Sequence, residues 1–236
     1  MVSHPPFVFA DDTMAYHTVR NMQDAEEFQR DMDNLVKWEK TWQMEFHPDK
    51  CEIIRITRKR NTVKYPYTLH GHLLNHVDVV KYLGVKISHD LPWNDHIDCV
   101  TSKANSTLGF VRRNINVGNP QIKERAYKTL VRPILEYSST VWDPTATKKI
   151  KSVQRRAART TLNRYRRTSS VGAMLTELNW QLLAERRRIA RLVMFYKIHY
   201  HLVAITMPLK SKMSLSPSTT ENSLAYVIPA SHVTVI

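Results

Sequence analysis

Glycine is scarce in this chain, five residues in 236, and neither G-x-G-x-x-G nor G-x-x-x-x-G-K-[ST] occurs. That argues against a glycine-rich loop cradling a phosphate. Cysteine is scarcer still: Cys51 and Cys99 have no partner at metal or redox spacing, a pattern of reduced thiols in an intracellular protein. No apolar run approaches the ~18 residues a membrane span needs. The start, Met1-Val2-Ser3-His4-Pro5-Pro6, lacks a basic segment followed by an apolar one, so neither secretion nor membrane insertion is expected. Hydrophobic residues at 42% and charged residues at 24% are ordinary globular values, unlike those of a disordered or collagen-like chain.

Positive charge is what the chain has in excess. Lys and Arg number 35 against 21 Asp and Glu, a net +14. Residues 1–50 carry 5 basic and 10 acidic side chains, residues 51–100 carry 7 and 5, and residues 101–200 carry 21 and 5. Only Lys210, Lys212 and Glu221 are charged thereafter. An acidic start before a basic body points to a polyanionic partner for the later part, nucleic acid or an anionic membrane surface. Solvated helix faces are the alternative, and they account poorly for arginines that come in clusters.

Residues 5–19 read as two short apolar strands either side of Asp11-Asp12, a pair suited to a tight turn. From Asn21, a candidate N-cap, to about Met44, the residues Phe28, Met32, Leu35, Val36 and Trp42 recur at helical spacing. His47-Pro48-Asp49 breaks that helix, Cys51 to Thr57 alternates like a strand, and Tyr67 to Leu74 and Val79 to Ser88 offer more strands with turns near His70-Gly71 and Gly84. After Pro92 the period is helical. Helices are expected at about 93–113, at 120–138 behind Asn119, at 144–163, at 170–178 behind Ser169, and at 181–202, with Pro133 kinking or dividing the second. From Thr206 onward Ser, Thr and Pro dominate without periodicity, which predicts a disordered tail over 204–236.

Adjacent aspartates at a strand turn suit Mg²⁺, a hard ion that takes few carboxylates together with water and phosphate oxygens. Such a pair by itself is also a common turn cap. Phe9-Ala10-Asp11-Asp12-Thr13, however, resembles the [YF]-A-D-D box of reverse transcriptases. The blocks after it resemble, in order, those of non-LTR (LINE-like, jockey-type) retrotransposon polymerases: Trp42 to Cys51, Lys81-Tyr-Leu-Gly-Val85, Leu108 to Asn114, Leu130-Val-Arg-Pro133 with Glu136-Tyr137 and Val141 to Pro144, and Val153 to Arg159. The resemblance covers roughly residues 5–203.

This resemblance implies an α+β fold. Residues 1–90 would be part of a polymerase palm, antiparallel strands with one long helix, and residues 91–203 an all-helical, thumb-like region. It implies RNA-directed DNA polymerase chemistry in the intact enzyme, two Mg²⁺ ions serving nucleotidyl transfer to a primer 3′-hydroxyl. Asp11 matches the family's metal-binding aspartate and Asp12 its neighbour, while Phe9 and Ala10 shape the hairpin beside the primer end. Lys50 matches a position where a lysine assists pyrophosphate departure; a solvated strand-end lysine is the alternative. Lys81, Tyr82, Leu83 and Gly84 resemble the turn that holds the primer strand, the alternative being a tight hairpin with Tyr82 and Leu83 in the core.

Only ten residues precede Asp11, so the expectation is that this chain lacks the earlier palm aspartate and the fingers, and does not polymerise alone. The basic part carries the nucleic-acid contacts expected of Arg112, Arg113, Arg155, Arg156, Arg159, Arg164, Arg166 and Arg167, with Lys148, Lys149, Arg186, Arg187, Arg188 and Arg191 adding charge. RNA template, DNA primer or their hybrid are the implied partners, in nucleus or cytoplasm. Trp142, Tyr165 and Trp180 could stack on bases, although core positions suit Trp142 and Trp180 better. His70, His72 and His76, and His47 with Cys51, lack a convergent fourth zinc ligand. Two further readings stand beside the polymerase fragment: a non-catalytic basic nucleic-acid-binding module, and a decayed open reading frame with an exposed palm edge.

Overall fold

The computed structural model describes residues 12–43, 45–57, 59, 61–115, 118–142, 148–166 and 168–205, together with the strands at 7–9 and 233–235. Helices and small sheets are both present. Two compact units divide the chain, Met1–Pro92 with Glu221–Ile236, and Trp93–Thr220.

In the first unit, β1 (Phe7–Phe9) pairs antiparallel with β2 (Asp12–Met14), and β3 (Tyr16–Thr18) follows. Helix α1 (Met22–Trp42) begins at Asn21, whose side chain accepts from the Asp24 amide at 2.9 Å, the cap expected there. It buries Ala25, Phe28, Met32 and Leu35, a stripe at helical spacing. Val36 packs against the same core. Trp42 does not join it and is 65% exposed, because α1 ends there and the chain turns away through Gln43 in the left-handed region. A 3-10 turn (Pro48–Lys50) leads to β4 (Glu52–Ile56), whose Ile53 and Ile54 are fully buried.

Short strands complete the unit: β5 (Thr68–Leu69), β6 (His72–Leu73), β7 (Asn75–Val77), β8 (Val79–Tyr82) and β9 (Val85–Ser88). Both expected turns are there. His70 and Gly71 have φ of 51° and 78°, Leu83 and Gly84 have 44° and 81°, so each pair of central residues is left-handed. Two positive φ values suit the twist of a two-residue hairpin, and glycine takes the second without strain. Strand β10 (Val233–Val235) lies between β3 and β4, antiparallel to both, and β4 pairs parallel with β7. The tail expected to be structureless therefore contributes these three residues, while 206–232 lie outside the described residues.

Side chains fasten α1 to this framework. Gln29 donates to the Thr68 carbonyl and accepts from the Thr68 amide, each at 2.9 Å. Glu39, buried near the far end, accepts from the Phe46 amide at 2.5 Å and meets His70 Nε2 at 2.8 Å. Phe28 sits among them, edge-on to Tyr67 and stacked near His17.

The second unit is helical among its described residues: α2 (Asn94–Asn114), α3 (Pro120–Ala126), a π-helical segment (Tyr127–Val131), α4 (Arg132–Glu136), α5 (Lys148–Leu162), α6 (Val171–Glu177) and α7 (Leu183–His199). Asn119 caps α3 by accepting from Gln121 at 2.9 Å. Pro133 has no N–H and would collide with a carbonyl one turn back, and the wide π turn before it accommodates that defect. At α6 the cap is Ser170, not Ser169: the helix starts at Val171, so Ser170 stands the right distance from the Ala173 amide. Residues 143–147, where the expected start of the next helix falls, lie outside the described residues.

Helix α5 buries Ile150, Val153, Gln154, Ala157, Ala158 and Thr161 and packs on α2, α3, α6 and α7. Gln154 donates to the Gln181 carbonyl at 2.8 Å and accepts from the Leu183 amide at 3.3 Å, so it caps α7, whose own N-cap Leu182 has no capping side chain. Trp142 is fully buried against His96, its indole donating to the Tyr137 carbonyl at 2.9 Å. Trp180 stacks on Tyr127 at 4.2 Å and donates to Glu124. Burial opposes ionisation of Glu124, but hydrogen bonds from Lys128 and Trp180 outweigh it and hold the carboxyl below its usual range. Both tryptophans thus take core positions.

Replacing Phe28 with Ala removes the largest fully buried side chain of the first core and should cost about 3–5 kcal/mol. Hydrogen exchange of the α1 amides should accelerate correspondingly; unchanged protection there would show that α1 does not depend on this packing.

Candidate nucleic-acid interface

Two arrangements bear on function, one in each unit. In the first, the β1–β2 register pairs Phe9 with Asp12. Ala10 and Asp11, which carry the other half of the aspartate motif, lie outside the described residues. Asp12 is exposed at the start of β2. Tyr82, half-buried at the end of β8, has its phenol pushed above the ordinary tyrosine range, first by burial and second by the negative charge of Asp12. The hairpin with the carboxylate and the Lys81-Tyr82-Leu83-Gly84 turn are therefore electrostatically coupled. Lys81 is exposed and Leu83 half-buried in that turn. Lys50 is exposed at the end of its 3-10 turn, and among the described residues no hydrogen bond or ion pair joins it to Asp12.

A two-ion site needs several oxygen donors converging within a few ångströms. Among the described residues no group of three or more His, Cys, Asp or Glu side chains does so. Of the motif's two carboxylates, Asp12 alone is among the described residues.

The second arrangement grows from α2 and α5. Arg156 Nη1 donates to Asn105 Oδ1 at 3.0 Å, and Lys149 pairs with Asp98. Each link joins residues 51 positions apart, and the two links lie seven residues apart on both helices, so α2 and α5 run side by side in the same direction. One more heptad along, Arg112 and Asn163 line a shared groove of about 390 Å³, with Val111, Ile115, Lys123, Thr160 and Tyr165.

The basic residues expected to meet nucleic acid sort into two groups here. Arg112, Arg113 and Arg155 are exposed and form no ion pair among the described residues. Arg113 lies back along its helix over Gly109, whose missing side chain leaves room for the guanidinium. Others are engaged within the protein. Arg156 holds Asn105, Arg159 Nη1 donates to the Arg166 carbonyl at 3.0 Å, and Arg164 grips Glu177 with two bonds of 2.5 and 3.0 Å. Arg166 is exposed, and Arg167 lies outside the described residues. Sequence reasoning did not select Lys123, Thr160 or Asn163; the approach of Thr160 and Asn163 to Arg112 depends on the pairing of α2 with α5, and that of Lys123 on α3 packing against α5, which no local pattern encodes.

Comparison with known proteins gives one distant relation. Over 142 residues the chain is 24% identical to the RNA-directed DNA polymerase from mobile element jockey of Drosophila melanogaster. The match covers 57% of this chain and 15% of that protein. The relation is to a reverse transcriptase. No protein-family model matches, and no solved structure does. Among the described residues no helix is long and apolar enough to cross a membrane.

Asp12→Asn should lower the pKa of Tyr82 without returning it to the ordinary value, because burial, the larger cause, remains. Titration of ring-labelled tyrosine by NMR reads this directly. An unmoved Tyr82 would mean that the two hairpins are not coupled.

Proposed function

We propose that the chain is part of a non-LTR retrotransposon RNA-directed DNA polymerase, with residues 1–90 as a partial palm and 91–203 as a thumb and the region beyond it. In the intact enzyme Asp11 and Asp12 would be the carboxylates offered to Mg²⁺, which supplies charge neutralisation for phosphoryl transfer to a primer 3′-hydroxyl. Phe9, Ala10 and the Lys81 to Gly84 turn would then flank the primer end, with Lys50 at the edge of the same unit. The observation that carries this reading is that two motifs 70 positions apart in sequence, each associated with the primer end by resemblance, belong to one compact unit, where the charge of Asp12 adds to the burial that raises the Tyr82 phenol. The distant identity to the jockey polymerase supports the same family.

The isolated chain binds nucleic acid but does not copy it. Its cations at Arg112, Arg113 and Arg155 stand on helix surfaces and would contact phosphates without reading bases. A non-catalytic binding module is the second reading, favoured by these exposed arginines.

Purified chain incubated with primed RNA, Mg²⁺ and deoxynucleotides should give no extension. Template-dependent extension abolished by Asp11→Ala would overturn the inactivity. Binding to an RNA–DNA hybrid should weaken steeply with salt, and the double variant Arg113→Ala with Arg155→Ala should reduce the salt slope by about two. A slope unchanged by that double variant would remove these arginines from the interface.

A further inference from the structure

The groove at the common end of α2 and α5 combines features that a solvated helix face does not need. Its volume of about 390 Å³ lies within the ~300–1,000 Å³ of small-ligand sites. Val111 and Ile115 supply apolar wall, Arg112 and Lys123 supply two cations from different helices, and Tyr165 stands at the rim, 51% exposed. The cations form no ion pair among the described residues, so their charge is available to a ligand.

Tyr165 is also held in place. Asn163, at φ 54°, ends α5 in the left-handed region and turns the chain across the groove. The Arg164 amide donates to the Arg159 carbonyl at 3.1 Å, and the Arg159 guanidinium reaches over to the Arg166 carbonyl at 3.0 Å. Arg164 itself is fixed to Glu177 by its bidentate pair. The residues on both sides of Tyr165 are thus braced, Arg164 by its ion pair and Arg166 through its carbonyl, which holds an aromatic ring beside the cations Arg112 and Lys123.

We propose that this groove binds a single unpaired nucleotide of an RNA or DNA strand, with its phosphate between Arg112 and Lys123 and its base stacked on Tyr165. The proposal rests on the nucleic-acid reading above and specifies which form of nucleic acid this site takes. A base inside a duplex has both faces covered by its neighbours, so an aromatic ring can stack only on a base that is unpaired or terminal. An acidic peptide would satisfy the cations and leave the ring without a role. The positions of Arg112 and Arg113 in the last turn of α2 also complement the negative end of the helix, a role that the experiment separates from binding.

The test uses the full chain and a uridine oligoribonucleotide carrying one 2-aminopurine, read by anisotropy for affinity and by 2-aminopurine fluorescence for stacking. The wild-type chain should quench the fluorophore. Tyr165→Ala should abolish the quench and weaken binding between about five-fold and 150-fold, the range of base–aromatic stacking, whereas Tyr165→Phe keeps both. Arg112→Ala and Lys123→Ala should each lower the single-strand salt slope by about 0.7. If Arg112 serves only the helix end, its replacement will change thermal stability and leave the slope intact, which overturns its place in the site. A quench that survives Tyr165→Ala, or a poly-glutamate peptide that binds as tightly as the oligonucleotide, overturns the assignment. Hybrid binding that persists through Arg113 and Arg155 while the quench is absent removes the groove alone; loss of all nucleic-acid binding removes the broader reading with it.

Discussion

The parallel packing of α2 on α5 is the contact on which the basic unit depends. Both helices bury alanine, Ala104 on one and Ala157 and Ala158 on the other, and a side chain that ends at Cβ lets two backbones approach closely. Ile150 and Val153 on α5 and Leu108 and Val111 on α2 are buried as well. Once the helices lie together in the same direction, a residue on α2 faces the residue 51 places later on α5, and the polar pairs at Asp98–Lys149 and Asn105–Arg156 follow from that register. The groove follows too, because it opens where the ladder runs out beyond Leu162.

A second economy recurs in both units. Gln29 and Gln154 each sit on a central helix and each offers its amide to one backbone N–H and one carbonyl of a distant segment, Thr68 in one case and the Gln181 to Leu183 entry of α7 in the other. A glutamine side chain carries a donor and an acceptor on one end, so it can satisfy a chain segment that has no regular partner. Buried backbone groups left without such partners are costly, and this explains why polar residues occupy otherwise apolar helix stripes. Glu39 satisfies the Phe46 amide by accepting from it, and also meets His70.

Much of the local structure was legible because its causes are local. Asn21 and Asn119 stand where a helix needs an acceptor for an early amide; His70-Gly71 and Leu83-Gly84 stand where two-residue turns need positive φ. Pro133 announced a defect, although not that a π segment would absorb it. Trp42 fits the apolar period of α1 and is nevertheless exposed, because a periodicity does not say where the helix will end. The basic residues illustrate the deeper limit. A cluster of arginines in sequence reports net charge, whereas Arg159 and Arg164 being held by other groups of the chain and Arg112 and Arg155 standing without an ion pair among the described residues depends on which helices meet. The influence of the Asp12 charge on Tyr82, 70 positions away in the chain, lay beyond any local pattern.

The claim at the centre of this account is that the register of α2 and α5, with α3 packed against α5, assembles a nucleic-acid surface from Arg112, Lys123 and Tyr165. Photocrosslinking a 4-thiouridine oligonucleotide to the intact chain, followed by mass spectrometry of the adducts, tests it most directly. The account predicts adducts concentrated on Tyr165 and on the peptides that hold Arg112 and Lys123. Adducts confined to the first unit, or scattered over lysine and arginine surfaces without those peptides, would contradict it.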